Sequence, residues 1–202
     1  MAETFGEATA GSGLKWHSWT RSIGGSTVHA GFTLPDEYPY ASYTAIANAV
    51  SGATANSHMM QVMAGSSLNV RIRRILVTQN AAAAAVAVMS FSVVRLTTAG
   101  TGGTAVTPSK DDGADSASGA TAMTLPSSKG TEGAFLLQRA TWAGTGAIPT
   151  GTKGDFLWEQ LINSKPIIIA AGTSNGIAIK NTGGLAGTTY DITVEFVETA
   201  FV

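Results

Sequence analysis

The stretch "TTYDITVEFVE", Thr188 to Glu198, decides the fold class. Its apolar residues fall at every second position and are Tyr190, Ile192, Val194 and Phe196. Its polar residues occupy the positions between them and are Thr189, Asp191, Thr193 and Glu195. Successive side chains of a strand point to opposite faces, so the alternation predicts an antiparallel β-strand with one face buried and one in solvent.

Other segments from Val62 onward carry the same β signal. In "SLNVRIRRILVTQ", Val70 and Ile72 share one face, and the doubled arginine that follows shifts the apolar set by one residue, which predicts a β-bulge. "VAVMSFSVVRLT" alternates in the same way, and "KPIIIAAG" and "GIAIKNT" predict two further strands. "GAFLLQRATWAG" predicts a strand, whereas "GDFLWEQLINS" fits a strand or a short helical turn.

The domain organisation follows from these segments. Residues 56–202 are predicted to form an all-β domain, an antiparallel β-sandwich of jelly-roll type, because short strands separated by Gly-rich turns favour that class. Residues 97–133 are rich in Gly, Ser and Thr and predict a surface excursion or one or two short strands. Residues 1–55 predict an extended N-terminal arm with aromatic anchors, and Ala41 to Val50 is its single helix-like piece.

The alanine run Ala81 to Ala85 has high helix propensity, but an isolated helix needs roughly 12 to 15 residues. Because the segments on both sides have β patterning, we expect the run to connect two antiparallel strands as a hairpin tip. The longest apolar run, Ala81 to Met89, is far shorter than the roughly 20 residues of a membrane-spanning helix.

Composition excludes several function classes. Charged residues make up 12% of the chain, about half of the ordinary share, which points to a surface covered by partner chains or to a hydroxyl-rich monomer. The net charge of −1 gives no basis for binding nucleic acid or an anionic membrane. The chain has no cysteine, so it can hold neither a disulfide nor a thiolate metal site. Its first residues lack the features of a signal peptide, so we expect synthesis in the cytoplasm without processing.

No motif predicts catalysis or a cofactor. "GTSNG" around Ser174 has the form of a hydrolase nucleophile elbow, but a strand pattern follows it and all three histidines precede it, so we interpret it as a hairpin turn. His17, His29 and His58 lack metal-ligand spacing. Asp111, Asp112 and Asp115 could bind calcium as a loop, although the spacing of an EF-hand is absent.

Interface residues are the more specific prediction. The proposed arm anchors are the aromatic residues Trp16, Trp19, Tyr38, Tyr40 and Tyr43. The basic cluster Arg71, Arg73 and Arg74, with Arg95 on a strand expected to be its neighbour, is either an interface or a solvated face paired with carboxylates such as Glu195 or Glu198. Large aromatic residues usually fill cores, so Trp142 and Trp158 are expected in the core rather than on a sugar-stacking platform.

The second half of the chain resembles a known class of protein. "LNVRIRRILVTQ", "VVRLTTAGTGGTAVTP" and "KPIIIAAGTSNGIAIKNTGGLAGTTYDITVEFVE" together resemble the small jelly-roll virion proteins of tailed bacteriophages, namely capsid decoration (cement) proteins and related minor head or tail proteins. The resemblance covers roughly residues 56–202 and lies in the order and style of the strands. It implies a homotrimer on the capsid surface in which an arm or loop grips the shell.

The expected function is therefore non-enzymatic. We expect a decoration protein of the virion that bridges neighbouring copies of the major capsid protein and stabilises the shell. The alternative is a tail or fibre-associated jelly-roll module that binds host glycan or links tail components. A hydrolase built around Ser174 is the remaining alternative.

Overall fold

Every regular element among the described residues is a β-strand. The computed structural model of the chain describes residues 6–7, 17–23, 26–31, 40–81, 87–143, 156–161 and 164–200. It divides into two compact units, Met1–Pro39 and Tyr40–Val202. None of the described residues belongs to a helix that could cross a membrane.

The first unit contains a small antiparallel sheet. Its strands are β1 (Gly6–Glu7), β2 (His17–Ile23) and β3 (Ser26–Gly31), in the order β1-β2-β3. The predicted arm was residues 1–55, but residues 40–55 belong to the second unit, which begins at Tyr40. Where the first unit is described, it forms paired strands rather than an isolated extended segment.

The second unit consists of twelve described strands. In chain order they are β4 (Ser42–Ser51), β5 (His58–Met63), β6 (Asn69–Ala81), β7 (Ala87–Leu96), β8 (Thr104–Val106), β9 (Ser109–Lys110), β10 (Thr121–Thr124), β11 (Glu132–Ala143), β12 (Phe156–Glu159), β13 (Ile167–Ile169), β14 (Gly176–Asn181) and β15 (Thr189–Thr199). Sheet I has the order β11-β7-β14-β5-β10-β8, and sheet II has the order β12-β6-β15-β4-β9 with β13 also pairing with β6.

The pairings of these strands are nested, as in a jelly roll. The first strand of the unit, β4, pairs with the last, β15; β5 pairs with β14, β6 with β12 and β13, and β7 with β11. All of these pairs are antiparallel, and they place alternate pairs in sheet II and sheet I. The predicted all-β sandwich of jelly-roll type is confirmed.

The pattern of β15 explains why the two sheets pack. Tyr190, Ile192, Val194 and Phe196 are all buried, and the residues between them are half-buried on the opposite face. On the neighbouring strand β6, Glu195 pairs with Arg74 and Phe196 with Ile72, so Arg73 is the extra residue of a β-bulge. The bulge predicted at the doubled arginine is therefore present.

Aromatic rings join the two sheets across the core. The Phe91 ring, from sheet I, lies 5.1 Å from the Tyr190 ring and 6.1 Å from the Phe156 ring, both from sheet II, in edge-on geometry. Phe91 is 1% exposed. Such pairs contribute roughly 0.5–1.5 kcal/mol beyond the burial of their area, so these ring contacts add to the packing of the two sheets.

The predicted excursion at 97–133 is ordered and extends both sheets. Strands β8 and β10 continue sheet I beyond β5, and β9 pairs with β4 at the edge of sheet II. The excursion therefore contains three short strands, where the sequence predicted one or two.

The helix-like piece at Ala41 to Val50 is a strand, so that prediction is wrong. β4 buries Tyr43, Ala45 and Ala47 at every second position, and its backbone pairs with β15. Alanine favours a helix only weakly, and the pairing of the strand with its neighbour overrides that preference.

The alanine run was predicted to be a hairpin tip, and that prediction is wrong, because the strands on its two sides belong to different sheets. Ala81 ends β6 in sheet II, Ala87 begins β7 in sheet I, and residues 82–86 lie outside the described residues. The connection crosses from one sheet to the other, because β6 pairs with β15 and β7 pairs with β14.

Candidate interaction surface

The outer face of sheet II carries a row of four side chains, three aliphatic and one threonine, on the strands β4, β15, β6 and β12. Ile46 pairs with Thr193, Thr193 with Leu76, and Leu76 with Leu157. Cross-strand partners lie on the same face of a sheet. This row faces away from the core, since Ala45, Val194 and Ile75 beside it are buried.

Two members of this row are strongly exposed. Ile46 is 51% exposed and Leu157 is 42% exposed, while Leu76 and Thr193 are half-buried. We use the name open face for this row together with the charged row described next. The apolar row consists of Ile46, Thr193, Leu76 and Leu157. Ile46 and Leu157 lie at the two ends of the row, on β4 and β12, with Thr193 and Leu76 between them. A row with exposed apolar side chains rimmed by polar ones is the kind of surface that can bind another protein.

A charged row runs beside the apolar row. Glu195 pairs with Thr44 on one side and Arg74 on the other, and Arg74 pairs with Glu159. The Arg74 Nη1 atom lies 3.3 Å from the Glu195 Oε1 atom, and both side chains are more than a third exposed. An exposed ion pair of this kind contributes roughly 0–1 kcal/mol to stability, so its main effect is to order the rim.

On the other side of the apolar row, Asp191 holds a kink in β4. Its carboxylate accepts hydrogen bonds from the Asn80 side chain at 2.8 and 2.7 Å and from the Ala49 backbone N–H at 2.9 Å. The Ala49 φ angle is 54°, in the left-handed region that residues other than glycine rarely adopt. The hydrogen bond that Ala49 donates to Asp191 stabilises this strained residue at the edge of the open face.

Part of the outer face of sheet I is covered by the chain itself. This part carries the buried apolar residues Met63, Val94, Leu96 and Ala178, and we call it the covered face. Val88 and Phe135 lie on the same side of sheet I but outside this part, and both are exposed. Gln61, which pairs with Ala178, donates a hydrogen bond to the Gly100 carbonyl at 3.2 Å and accepts one from the Gly100 N–H at 3.0 Å. A Cβ at Gly100 would lie 2.8 Å from the Ser128 carbonyl oxygen, so only glycine permits this close approach.

An ionic cluster fastens the excursion to the covered face. The Glu132 carboxylate lies 3.0 Å from the His58 Nε2 atom and 2.8 Å from the Lys180 Nζ atom, and Lys129 approaches it at 3.7 Å. His58 is fully buried, and the Lys180 side chain is 11% exposed. Glu132 thus joins the end of the excursion to β5 and β14.

The ionic cluster shifts the pKa values of its members. Burial lowers the pKa of His58 below 6.5, although its hydrogen bond to Glu132 acts in the other direction. Burial raises the pKa of Glu132, but the hydrogen bonds from Lys180 and His58 outweigh it, so that its pKa falls below its ordinary value. At neutral pH the cluster therefore holds a neutral imidazole and an ionised carboxylate.

The predicted arm anchors fall in different places. Trp16 and Tyr38 lie outside the described residues, and Trp19 is described only by its backbone, which pairs with Ala30 in β3. Tyr40 is half-buried at the start of the second unit. Their role as anchors stays a prediction.

Tyr43 belongs to the sandwich rather than to an arm. It is 2% exposed, its ring lies 5.6 Å from the Phe196 ring, and its hydroxyl donates a hydrogen bond to the Ser116 carbonyl at 3.0 Å. Because β4 places it on the inner side of sheet II, its contacts in this structure are those of a core residue.

The basic cluster is divided between the sheets. Arg71, Arg73 and Arg74 lie on β6 in sheet II, whereas Arg95 lies on β7 in sheet I and donates to the Ile168 carbonyl at 2.6 Å. The prediction that β6 and β7 are neighbouring strands is wrong. The sequence offered two roles for these arginines, an interface or a solvated face paired with carboxylates. Arg74 forms the second kind of contact, an ion pair with Glu195.

Two further motifs that the sequence singled out, around Ser174 and Asp111, lie in exposed turns. Ser174 is exposed in a turn where Asn175 N–H donates to the Gly172 carbonyl, and that turn joins β13 of sheet II to β14 of sheet I rather than closing a hairpin. No group of three or more His, Asp or Glu residues suited to a metal is found in the described part of the chain. Asp111 instead accepts from the Thr44 hydroxyl at 2.9 Å.

Trp142 and Trp158 lie on different strands of the sandwich, β11 and β12. Trp158 is half-buried and packs against the core, in line with the core placement that the sequence predicted. Only the backbone of Trp142 is described, and it pairs with Val88 in β7.

Sequence reasoning missed the open face and the ionic cluster. Thr44 and Ile46 alternate with buried alanines, and "FLWE" alternates around Leu157, so the two ends of the row were visible as strand positions. Their alignment depends on the register of four strands. Comparison with family models, curated proteins and solved structures finds no match.

Proposed function

We propose that this chain is a non-enzymatic structural protein of a tailed-phage virion, a capsid decoration protein whose open face binds the major capsid protein. The observation that carries the proposal is the contrast between the covered face and the open face. The excursion is attached at the covered face, where Met63, Val94, Leu96 and Ala178 are buried, while the open face leaves Ile46 and Leu157 exposed at the two ends of one row. The resemblance of residues 56–202 to jelly-roll virion proteins supplies the class of partner.

The mechanism is burial of the open face against the shell. A stable protein interface buries on the order of 1,600 Å², and a jelly-roll face together with a separate N-terminal unit offers two attachments to reach that area. Repetition over a symmetric capsid adds avidity, so that each contact need not be tight. The resemblance further implies a trimer, in which three copies would bind around one symmetry axis.

The test is binding of purified protein to particles that lack it. Ile46→Lys with Leu157→Lys places two charges in the row and is expected to reduce particle occupancy at least tenfold without changing the melting temperature. Val88→Lys is the matched control, because Val88 is 56% exposed but belongs to sheet I. Equal occupancy of the double variant and the control would refute binding through the open face.

A glycan-binding tail or fibre module is the second candidate, and one observation favours it. Phe135 is 60% exposed on β11, and the Lys180 ammonium lies 5.9 Å from the centre of its ring. An exposed aromatic ring beside a cation is a suitable platform for a sugar ring. Binding on a glycan array that Phe135→Ala abolishes would support this candidate, and an array without signal would exclude it.

A further inference from the structure

Among the described strands β11 pairs only with β7, and its other edge is the longest unpaired edge in the described part of the sandwich. β11 has 12 residues and ends sheet I, whereas the edge strands β8, β9, β12 and β13 have between two and four. An edge strand presents unpaired backbone N–H and C=O groups that can pair with another strand. A short edge strand offers few groups for such pairing, whereas β11, with 12 residues, offers many.

The second half of β11 is also regular. Its two register shifts against β7 lie between Glu132 and Leu137, and from Leu137 to Ala143 each residue pairs in sequence with one from Val93 to Ala87. Seven residues of regular strand extend about 20 Å. A bulge on this half would hinder pairing at the free edge, and the described register contains none there.

The side chains of this half include few of the residue types that prevent an edge strand from pairing with another strand. Residues 137–143 contain neither proline nor lysine, and Arg139 is their single charged residue. Gln138, Arg139 and Ala140 are exposed. Proteins usually protect a long edge with proline or several charges, so this composition is typical of an edge that is paired in the assembled state.

We propose that β11 pairs antiparallel with β11 of a second copy of this chain, across a two-fold axis, and so joins two copies of sheet I into one continuous sheet. An antiparallel edge is complementary to itself, because the free N–H and C=O groups of each strand meet those of the other. The contact needs no other partner.

Charge and the length of the regular half together select the register of this pair. A two-fold axis normal to the sheet places one residue opposite its own copy. An axis at Arg139 would set two guanidinium groups face to face, which is destabilising. An axis at Ala140, the centre of the regular half, pairs Arg139 with Thr141 and uses all seven residues.

The inference is independent of the proposed function, because a two-fold contact through β11 suits a virion protein and a glycan-binding module equally. It is a different contact from the three-fold association that the resemblance implies. It also leaves the open face, which belongs to sheet II, unoccupied.

The chain has no cysteine, so one introduced thiol tests the register directly. Across the axis the two Cα atoms of residue 140 would lie about 4.5–5.5 Å apart, within the range of a disulfide. Ala140→Cys should therefore form a disulfide-linked dimer under mild oxidation. Gln138→Cys separates the thiols by about 14 Å and should not, and neither should Ala105→Cys on the short edge strand β8.

The unmodified chain supplies the second measurement. Analytical ultracentrifugation should show a reversible dimer, or a multiple of two, as concentration rises to about 100 μM. A monomer over the whole range, or crosslinking of Ala140→Cys no faster than of the two controls, would overturn the proposal. In residues 137–143, alternate backbone N–H groups point to β7 and the others point to the opposite edge. Slow hydrogen exchange of the second set in a dilute monomer would assign the edge to another segment of the same chain and would also overturn the proposal.

Discussion

The covered face of sheet I and the open face of sheet II differ in whether another segment of the chain is attached over them. On the covered face of sheet I, Val94 is completely buried, and Gln61 and Glu132 attach the excursion to the strands beneath. On the open face of sheet II, Ile46 keeps half of its surface in solvent, and its neighbours are side chains of the same sheet.

This difference separates folding from binding. A face that the chain covers contributes buried area to the stability of the monomer, so substitutions there should reduce the free energy of unfolding. A face that is left open contributes little to the monomer, so substitutions there should change association and leave folding intact. The same substitution made on each face therefore distinguishes the two roles.

The largest expected effect comes from placing a lysine on each face. Val94→Lys puts a charge into a site without solvent or a partner and should lower the free energy of unfolding by about 4 kcal/mol or more, enough to unfold a marginal domain. Ile46→Lys should change it by less than about 0.5 kcal/mol. Urea unfolding followed by circular dichroism measures both, and similar values for the two variants would break the distinction.

The ionic cluster predicts the next effect. Glu132→Gln removes the charge that His58 and Lys180 share and should cost about 2 kcal/mol, since hydrogen bonds to charged groups contribute roughly 1.5–3 kcal/mol. Glu159→Gln, on the exposed charged row of the open face, is the control and should change stability by less than about 0.5 kcal/mol. If Glu159→Gln lowered the free energy of unfolding as much as Glu132→Gln, the ionic cluster would not be the source of the stability.

Acid should loosen the covered face in two steps. The folded-state pKa of His58 lies below 6.5, so the unfolded chain binds the proton more readily and stability declines as the pH falls below 6.5. The folded-state pKa of Glu132 lies below 4.5, so its contribution is complete above pH 4.5 and is lost as the pH falls further. Urea midpoints measured from pH 8 to pH 3 should show both declines.

The variant Glu132→Gln isolates the second step. It should weaken the decline below pH 4.5 that belongs to this carboxyl group. An unchanged acid profile in the variant would mean that other carboxyl groups cause the loss.

The smallest expected effect is a gain in stability beside the open face. Ala49→Gly relieves the left-handed backbone at φ 54° and should stabilise the domain by up to about 1 kcal/mol. Gly113→Ala, in an exposed loop where a Cβ meets nothing within 4 Å, is a control that should leave stability nearly unchanged. Thermal unfolding of both variants measures the difference, and destabilisation by Ala49→Gly would show that the kink is not strained.

Local patterns predicted the strands better than their partners. The alternation in β15 and the shifted apolar set at Arg73 were visible because both depend on neighbouring residues. The helix-like interpretation of Ala41 to Val50 failed because the pairing with β15 comes from a segment about 150 residues away.

The candidate site was less predictable for the same reason. The row from Ile46 to Leu157 exists only when the register of four strands is known. The cluster of His58, Glu132 and Lys180 joins residues separated by 74 and 48 positions. No local spacing in the sequence carries that information.

Alkylation of a single cysteine at position 46 tests the central claim most directly, because the chain has no other thiol. Ile46→Cys should react rapidly in the free protein, as an exposed residue of the open face, and at least tenfold more slowly when the protein is bound to particles. Val88→Cys on sheet I should react at similar rates in both states. Equal reaction of Ile46→Cys in free and bound protein would contradict binding through the open face.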